Sequence, residues 1–215
     1  MKLPCTPSFS LSGRKALVTG AGRGIGVAAA AALAEAGADV LLTARTKSEI
    51  DEVSSAIGDA GGLARAYVLD VTSRDDVEKA VASHGPFDVL VNNAGTNRPA
   101  LALDVTESDY DDVMRLNVKA AYFTAQAVAR SMVDSKISGS IINVSSQLGH
   151  VGAQTRTVYS ASKHAIEGFT RSLAWEVGQY GIRVNTLCPT FIETPMTRPM
   201  LAEKDFDQVI VKYRG

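Results

Sequence analysis

Ala16-Leu17-Val18-Thr19-Gly20-Ala21-Gly22-Arg23-Gly24-Ile25-Gly26-Val27-Ala28-Ala29-Ala30 decides the fold. Ala16–Thr19 is a short apolar run with β-branched residues and reads as a strand. The glycines at 20, 22, 24 and 26 make a turn, and the alanine-rich run behind them reads as a helix. Outward from this unit the same alternation repeats. Strands are predicted at Ala38–Thr43, Ala64–Leu69, Phe87–Val91, Ser140–Val144 and Ile182–Leu187. Helices are predicted at Ser48–Ala60, near Ser73–Ser83, from Thr106 to Lys136, and at Val158–Val177. Thr106-Glu107-Ser108-Asp109 resembles a capping box, and Val113, Leu116, Ala120, Phe123, Ala127 and Met132 form one stripe behind it. The predicted strands are nearly continuous apolar runs, as strands covered on both faces are. The pattern implies an α/β chain: a doubly wound parallel sheet with helices on both faces, forming one domain over residues 1–215.

Composition excludes several classes. Over 215 residues the net charge is -1, with no basic run, so neither a nucleic-acid surface nor a membrane surface is expected. Cys5 and Cys188 form no C-x-x-C pair and give no zinc spacing, so no metal and a cytoplasmic setting are expected. Met1–Leu11 does not read as a signal peptide, and the apolar stretch Val27–Ala36 is too short to span a bilayer.

A glycine-rich strand-to-helix turn lets backbone approach a pyrophosphate closely. The helix N-terminus behind it offers free N–H groups and a positive dipole end. The G-x-G-x-x-G/A pattern is met only from Gly24 to Ala29, and a tight turn with no ligand has the same composition. The end of the second strand, where many dinucleotide enzymes carry an acid for the adenosine ribose, holds Ala44 and then Arg45. Arg45 either caps a strand end in solvent or, with Arg23, binds a 2′-phosphate; the second reading favours NADP(H) over NAD(H).

Three further segments fall at strand C-termini, which face the ligand crevice of such a sheet. They are Asn92-Asn93-Ala94-Gly95, Asn143-Val144-Ser145-Ser146 and Tyr159-Ser160-Ala161-Ser162-Lys163. Each alone has an ordinary explanation as turn or surface chemistry. Tyr159 and Lys163 share a helix face at i,i+4. A lysine ammonium one turn away favours the phenolate of a tyrosine whose ordinary pKa is about 10. Such a tyrosine exchanges a proton with a carbonyl or alcohol, and a serine from the neighbouring strand end can hold the same oxygen.

With these residues in place, the chain resembles the short-chain dehydrogenases/reductases from about Gly13 to about Met200. The likeness rests on T-G-x-x-x-G-x-G at Thr19–Gly26, N-N-A-G at Asn92–Gly95 and Y-x-x-x-K at Tyr159–Lys163. The resemblance implies a Rossmann fold and a tetrad of Asn117, Ser146, Tyr159 and Lys163. Ser146 rather than Ser145 matches the catalytic serine. Tyr159 matches the general acid/base, and Lys163 the group that binds the nicotinamide ribose and lowers the tyrosine pKa. Asn117 matches the residue that holds a relay water. Cofactor contacts are implied at Gly20, Arg23, Gly24, Ile25, Gly26, Arg45, Asp70, Val71, Asn92, Ala94 and Gly95. Where the family reads P-G-x-x-x-T, this chain reads Pro189-Thr190-Phe191-Ile192-Glu193-Thr194. Pro189 and Thr194 match, the glycine is Thr190, and Ile192 and Thr194 are the expected contacts to the nicotinamide amide. Gln147, His150 and Phe191 are candidates for the substrate side. His164 is expected to point away from the site, and His84 to end a helix.

The resemblance implies hydride transfer between NADP(H) and a carbonyl or secondary alcohol, either a 3-oxoacyl thioester or a sugar acid, polyol or similar ketone. The protein is expected to form a homodimer or homotetramer. The segment from Leu201 to Gly215 is expected to supply no seventh strand, so the C-terminal end reads as truncated and Ile182–Leu187 as an edge strand. The competing expectation is a cofactor-binding or interaction protein that has lost turnover.

Overall fold

The computed structural model describes residues 8–198. Its elements in chain order are β1 (Lys15–Thr19), α1 (Ile25–Glu35), β2 (Asp39–Ala44), α2 (Lys47–Asp59), β3 (Leu63–Val68), α3 (Arg74–His84), β4 (Val89–Asn92), α4 (Glu107–Met114), a π-helical turn (Arg115–Ala120), α5 (Ala121–Asp134), β5 (Ser140–Val144), a 3-10 turn (Gln147–Gly149), α6 (Thr157–Val177), a second 3-10 turn (Gly178–Tyr180) and β6 (Arg183–Leu187). The six strands form one sheet in the order β3-β2-β1-β4-β5-β6, and every pair is parallel. The order reverses between β1 and β4, where loops from the two halves of the sheet diverge and leave a crevice.

Alternation along the strands sends side chains to two cores. Leu17 of β1, Leu41 of β2, Leu90 of β4 and Ile141 of β5 lie on one face with Val77, Val128, Met132 and Val177 of the helices. Val18, Val40, Leu42 and Val91 lie on the other with Ala30 and Ala34 of α1 and Ile50 and Val53 of α2. Register keeps the layers aligned: Leu17 stands opposite both Leu41 and Leu90.

Two elements differ from the sequence-based expectation. The helix predicted from Thr106 to Lys136 runs without a gap from Glu107 to Asp134, but its middle, Arg115–Ala120, widens into the π turn between α4 and α5. Thr106 does cap its start, its hydroxyl accepting from the Asp109 amide at 3.1 Å. The widening holds Asn117, which is fully buried and whose amide bonds to backbone outside the helix. The second difference is β3, which is not buried on both faces: Leu63 is 64% exposed and Val68 49%. It is an edge strand, and Arg65 on it pairs with Asp39 of β2 at 2.7 Å. Among the described residues β6 is the other edge, with Val184 buried and Leu187 half exposed. The expectation about a seventh strand falls on residues beyond 198 and lies outside the described residues. No helix among the described residues is long and apolar enough to cross a membrane.

Candidate active site

At the β1–β4 divergence lies a cleft of about 470 Å³. The glycine turn forms its floor. Gly24 has φ +62° and stands at the N-terminus of α1, where no side chain caps the helix. The first amides of α1 are therefore open toward the cleft. At Gly26 an added Cβ would stand 2.3 Å from the Gly20 carbonyl oxygen, so this position admits only glycine. The N-N-A-G segment is fastened to the same turn. Thr19 Oγ1 accepts from the Asn93 and Ala94 amides at 2.9 and 3.1 Å, and Asn93 Nδ2 donates to the Thr19 and Gly20 carbonyls at 2.9 and 3.0 Å.

Most of the expected cofactor residues meet in this cleft: Gly20, Arg23, Gly24, Ile25, Arg45, Asp70, Val71, Ala94, Gly95 and Thr194 all line it. Asn92 does not. It is 4% exposed, and its Nδ2 donates to the Ala121 carbonyl and to Asn143 Oδ1, so it braces β4 against α5 and β5 while Asn93 faces the cleft. Two adjacent asparagines on a strand end point to opposite sides, and the sequence alone did not say which side faced out. Gly26 sits beneath the wall, buried. The cleft also takes in Glu49, Arg98, Arg115 and Met196, which the sequence reading did not name. Burial pushes the Asp70 carboxyl up, but the amide and hydroxyl of Thr72 and the charges of Arg45 and Arg115 outweigh it and hold it below its ordinary value.

Arg23 and Arg45 are both exposed at the cleft, and Ala44 leaves no carboxylate at the end of β2. The open helix N-terminus and the close-packed glycines suit the pyrophosphate of a dinucleotide, and the two guanidinium groups stand at the rim of the same cleft. Glu49, on the first turn of α2, lies in the same wall, and Asp70 and Asp112 also line the cleft.

The tetrad converges at the C-terminal ends of β4 and β5. Ser146 is 8% exposed and caps the first 3-10 turn, its Oγ accepting from the Leu148 amide at 3.2 Å. The same hydroxyl favours the phenolate of Tyr159. Lys163, one turn further along α6, is 5% exposed; its Nζ donates to the Val144 carbonyl at 2.8 Å and stands 5.6 Å from the centre of the Tyr159 ring. Asn117 is held by three bonds: Oδ1 accepts from the Thr96 amide at 2.8 Å, and Nδ2 donates to the Thr96 carbonyl at 2.9 Å and to Ser162 Oγ at 3.0 Å. Its amide thus ties the loop after β4 to α6.

Electrostatics departs from expectation at one point. Burial raises the Tyr159 pKa above its ordinary 10.0, and the Ser146 hydroxyl and the charge of Arg156 only partly oppose this. Lys163 is not among the groups that lower it. Burial brings Lys163 down so far that its charge is lost before the phenol titrates. Lys163 is itself pulled down by burial, from 10.5 to about 8.

Pro189 is placed beside the serine turn, its carbonyl accepting from the Gln147 amide at 3.0 Å. Thr194 is 9% exposed and packs beside Gly24. Ile192 is 47% exposed, and Phe191 is half-buried on the same loop. His150, a candidate for the substrate side, lies beside Cys188 and Glu167, with Nε2 3.5 Å from Cys188 Sγ. His164 bonds to the Ser160 carbonyl at 2.9 Å on the exposed side of α6, and His84 closes α3 with its ring 4.7 Å from that of Tyr67.

Comparison with known proteins agrees with this geometry. Residues 14–205 match the short chain dehydrogenase family. The chain is 38% identical to gluconate 5-dehydrogenase of Gluconobacter oxydans (strain 621H), over 95% of this chain and 81% of that protein. It is 41% identical to the 3-oxoacyl-(acyl-carrier-protein) reductase of Thermotoga maritima, over 88% of this chain and 78% of that protein. A crystal structure of a gluconate 5-dehydrogenase from Burkholderia cenocepacia, in complex with NADP and tartrate, superposes with a TM-score of 0.89 at 34% identity, covering 95% of this chain and 82% of that one. Fold, glycine turn and sequence agree, and the chain belongs to the short chain dehydrogenases, NAD(P)-dependent enzymes acting on CH–OH and C=O groups.

Proposed function

We propose that this protein is an NADP(H)-dependent ketone reductase and secondary-alcohol dehydrogenase in which Tyr159 is the general acid/base. The observation that carries the reading is the buried Lys163, its Nζ 5.6 Å from the Tyr159 ring and beside Gly95 of the glycine-turn cleft, with Ser146 buried at the adjoining end of β5. When bound, the nicotinamide supplies or takes up the hydride. Tyr159 donates its phenolic proton to the carbonyl oxygen as the carbonyl carbon becomes CH–OH, and the reverse reaction returns that proton to the phenolate. Ser146 Oγ holds the same oxygen and fixes its direction. Lys163 holds the nicotinamide ribose, and Asn117 keeps the π turn open to a relay water.

Arg23 and Arg45 support NADP over NAD, because each can pair with a 2′-phosphate and Ala44 does not repel one. The related proteins act, by their names, on sugar acids and on acyl thioesters, and the substrate proposed here is a ketone or alcohol of one of those two classes. Gln147, His150 and Phe191 are the proposed substrate-side residues. A homo-oligomeric, cytoplasmic enzyme is the corresponding proposal for its setting. The test is a panel of 3-oxoacyl thioesters, sugar acids and polyols assayed with NADPH, NADP, NADH and NAD. Turnover of a member of either class, faster with the phosphorylated cofactor, is the expected result. Cofactor binding with no turnover across the panel would favour the alternative of an inactive cofactor-binding protein.

A further inference from the structure

Behind the serine turn, three side chains that the proposed chemistry does not require as a group converge. Cys188 Sγ lies 3.2 Å from Glu167 Oε1 and 3.5 Å from His150 Nε2. His150 Nε2 lies 3.6 Å from the same Glu167 oxygen. The three come from the exit of β6, the middle of α6 and the end of the first 3-10 turn, so no local motif announces them. A tetrahedral zinc ion takes sulfur at about 2.3 Å, nitrogen at about 2.0–2.1 Å and carboxylate oxygen at about 2.0–2.2 Å. Those radii place the three donor atoms roughly 3.3–3.6 Å apart. The triangle in this protein is close to that size before any rearrangement.

We propose that His150 Nε2, Glu167 Oε1 and Cys188 Sγ form a binding site for a zinc-type divalent cation, with the fourth position open to solvent. The donor set suits such an ion: one thiolate, one imidazole and one carboxylate, with two negative charges against two positive. Its second shell is in place. Glu167 Oε2 accepts from Thr186 Oγ1 at 3.2 Å and faces Arg171 at 3.7 Å, which turns Oε1 toward the other two donors. Glu167 is buried while the His150 side chain is 47% exposed, so the site is anchored from within and has an entry path on the imidazole side. Binding forms the metal–sulfur bond and releases the Cys188 thiol proton to solvent. An ion here would link the serine turn to the segment that begins at Pro189, two walls already joined by the Gln147–Pro189 bond.

The test uses the full chain, reduced with a phosphine, and cobalt(II) as a spectroscopic substitute for zinc. One equivalent is expected to bind with a thiolate-to-cobalt charge-transfer band in the near ultraviolet, and zinc is expected to displace it. Cys188→Ser should abolish the band, and His150→Ala should weaken cobalt binding at least tenfold. Cys5→Ser, which changes the chain's other cysteine, should leave the band intact. Zinc should also raise the melting temperature of the parent and not of the His150→Ala protein. The imidazole is partly exposed, so that variant keeps the test valid if Cys188→Ser does not fold. No band in the parent, a band that survives Cys188→Ser, or equal cobalt affinity in His150→Ala overturns the site.

Discussion

At the scale of single residues, the phenol and the ammonium of α6 are set by burial more than by each other. Tyr159 is raised by burial and remains protonated through neutral pH, which suits proton donation to a carbonyl. Tyr159→Phe is expected to lower kcat for reduction by about 10²–10⁴-fold, the usual worth of a general acid, with NADPH affinity nearly unchanged. Steady-state kinetics and a cofactor titration check both halves, and retention of most activity would remove Tyr159 from the mechanism. Lys163 makes a thermodynamic prediction of its own. From pH 8 to 10.5 the unfolded chain holds a proton that the folded chain has released, so this group makes stability rise with pH across that window. Measured against Lys163→Met, the parent should gain about 3 kcal/mol between pH 7 and pH 11. The difference between the two proteins cancels the titration of every shared group. Denaturant melts at both pH values give it, and a constant difference would mean that the lysine is not depressed.

At the scale of elements, the sequence made the glycine turn legible because its constraint is local: closely spaced glycines leave little else for Gly20–Gly26 to be. The doubly wound parallel sheet was legible from the strand–helix alternation along the chain, although alternation alone does not fix the strand order. The π turn was not legible, since the apolar stripe from Val113 to Met132 runs through it without interruption. What opens the helix is Asn117 bonding to Thr96 and Ser162, a tertiary event with no periodicity of its own. Asn92, expected in the cofactor groove, braces the sheet because strand alternation turns it inward, and His150, Glu167 and Cys188 meet only because β6 returns beside β5. Two predictions belong here. Gly26→Ala should cost about 1–3 kcal/mol, as other overpacked sites do, because the new methyl meets the Gly20 carbonyl; calorimetry should show a fall in Tm. Ala44→Asp combined with Arg45→Gln should move preference from NADPH toward NADH by at least tenfold in kcat/KM, since a carboxylate replaces a guanidinium beside the cleft. A parent enzyme that already prefers NADH would overturn the assignment of Arg45.

At the scale of the whole molecule, the described chain leaves two kinds of surface without a cover. One is the pair of sheet edges, where β3 exposes Leu63 and Val68 and β6 exposes Leu187. Parallel edges of this kind carry free backbone groups that can recruit another strand, and the Arg65–Asp39 pair blunts the β3 side. The other is the outer face of α4, α5 and α6. Tyr110 and Tyr122 are 46% and 43% exposed there, and Tyr122 makes edge contacts with Phe123 and Phe169 at 5.4 and 5.6 Å. An aromatic cluster half out of water is the composition of an interface centre rather than of an ordinary helix surface. The net charge of -1 offers little repulsion between copies. The expected assembly is therefore a dimer in which α5 and α6 face their symmetry mates, burying the roughly 1,200–2,000 Å² that a stable pair needs. Sedimentation velocity at micromolar concentration should give at least a dimer. Tyr122→Glu should shift it toward monomer, because a carboxylate at the centre of a two-fold interface is brought against its own copy. The parent's far-ultraviolet circular dichroism should be kept, since the side chain is outside the core. A monomeric parent, or a dimer indifferent to Tyr122→Glu, would place the interface elsewhere, and the exposed edge of β6 would be the next surface to test.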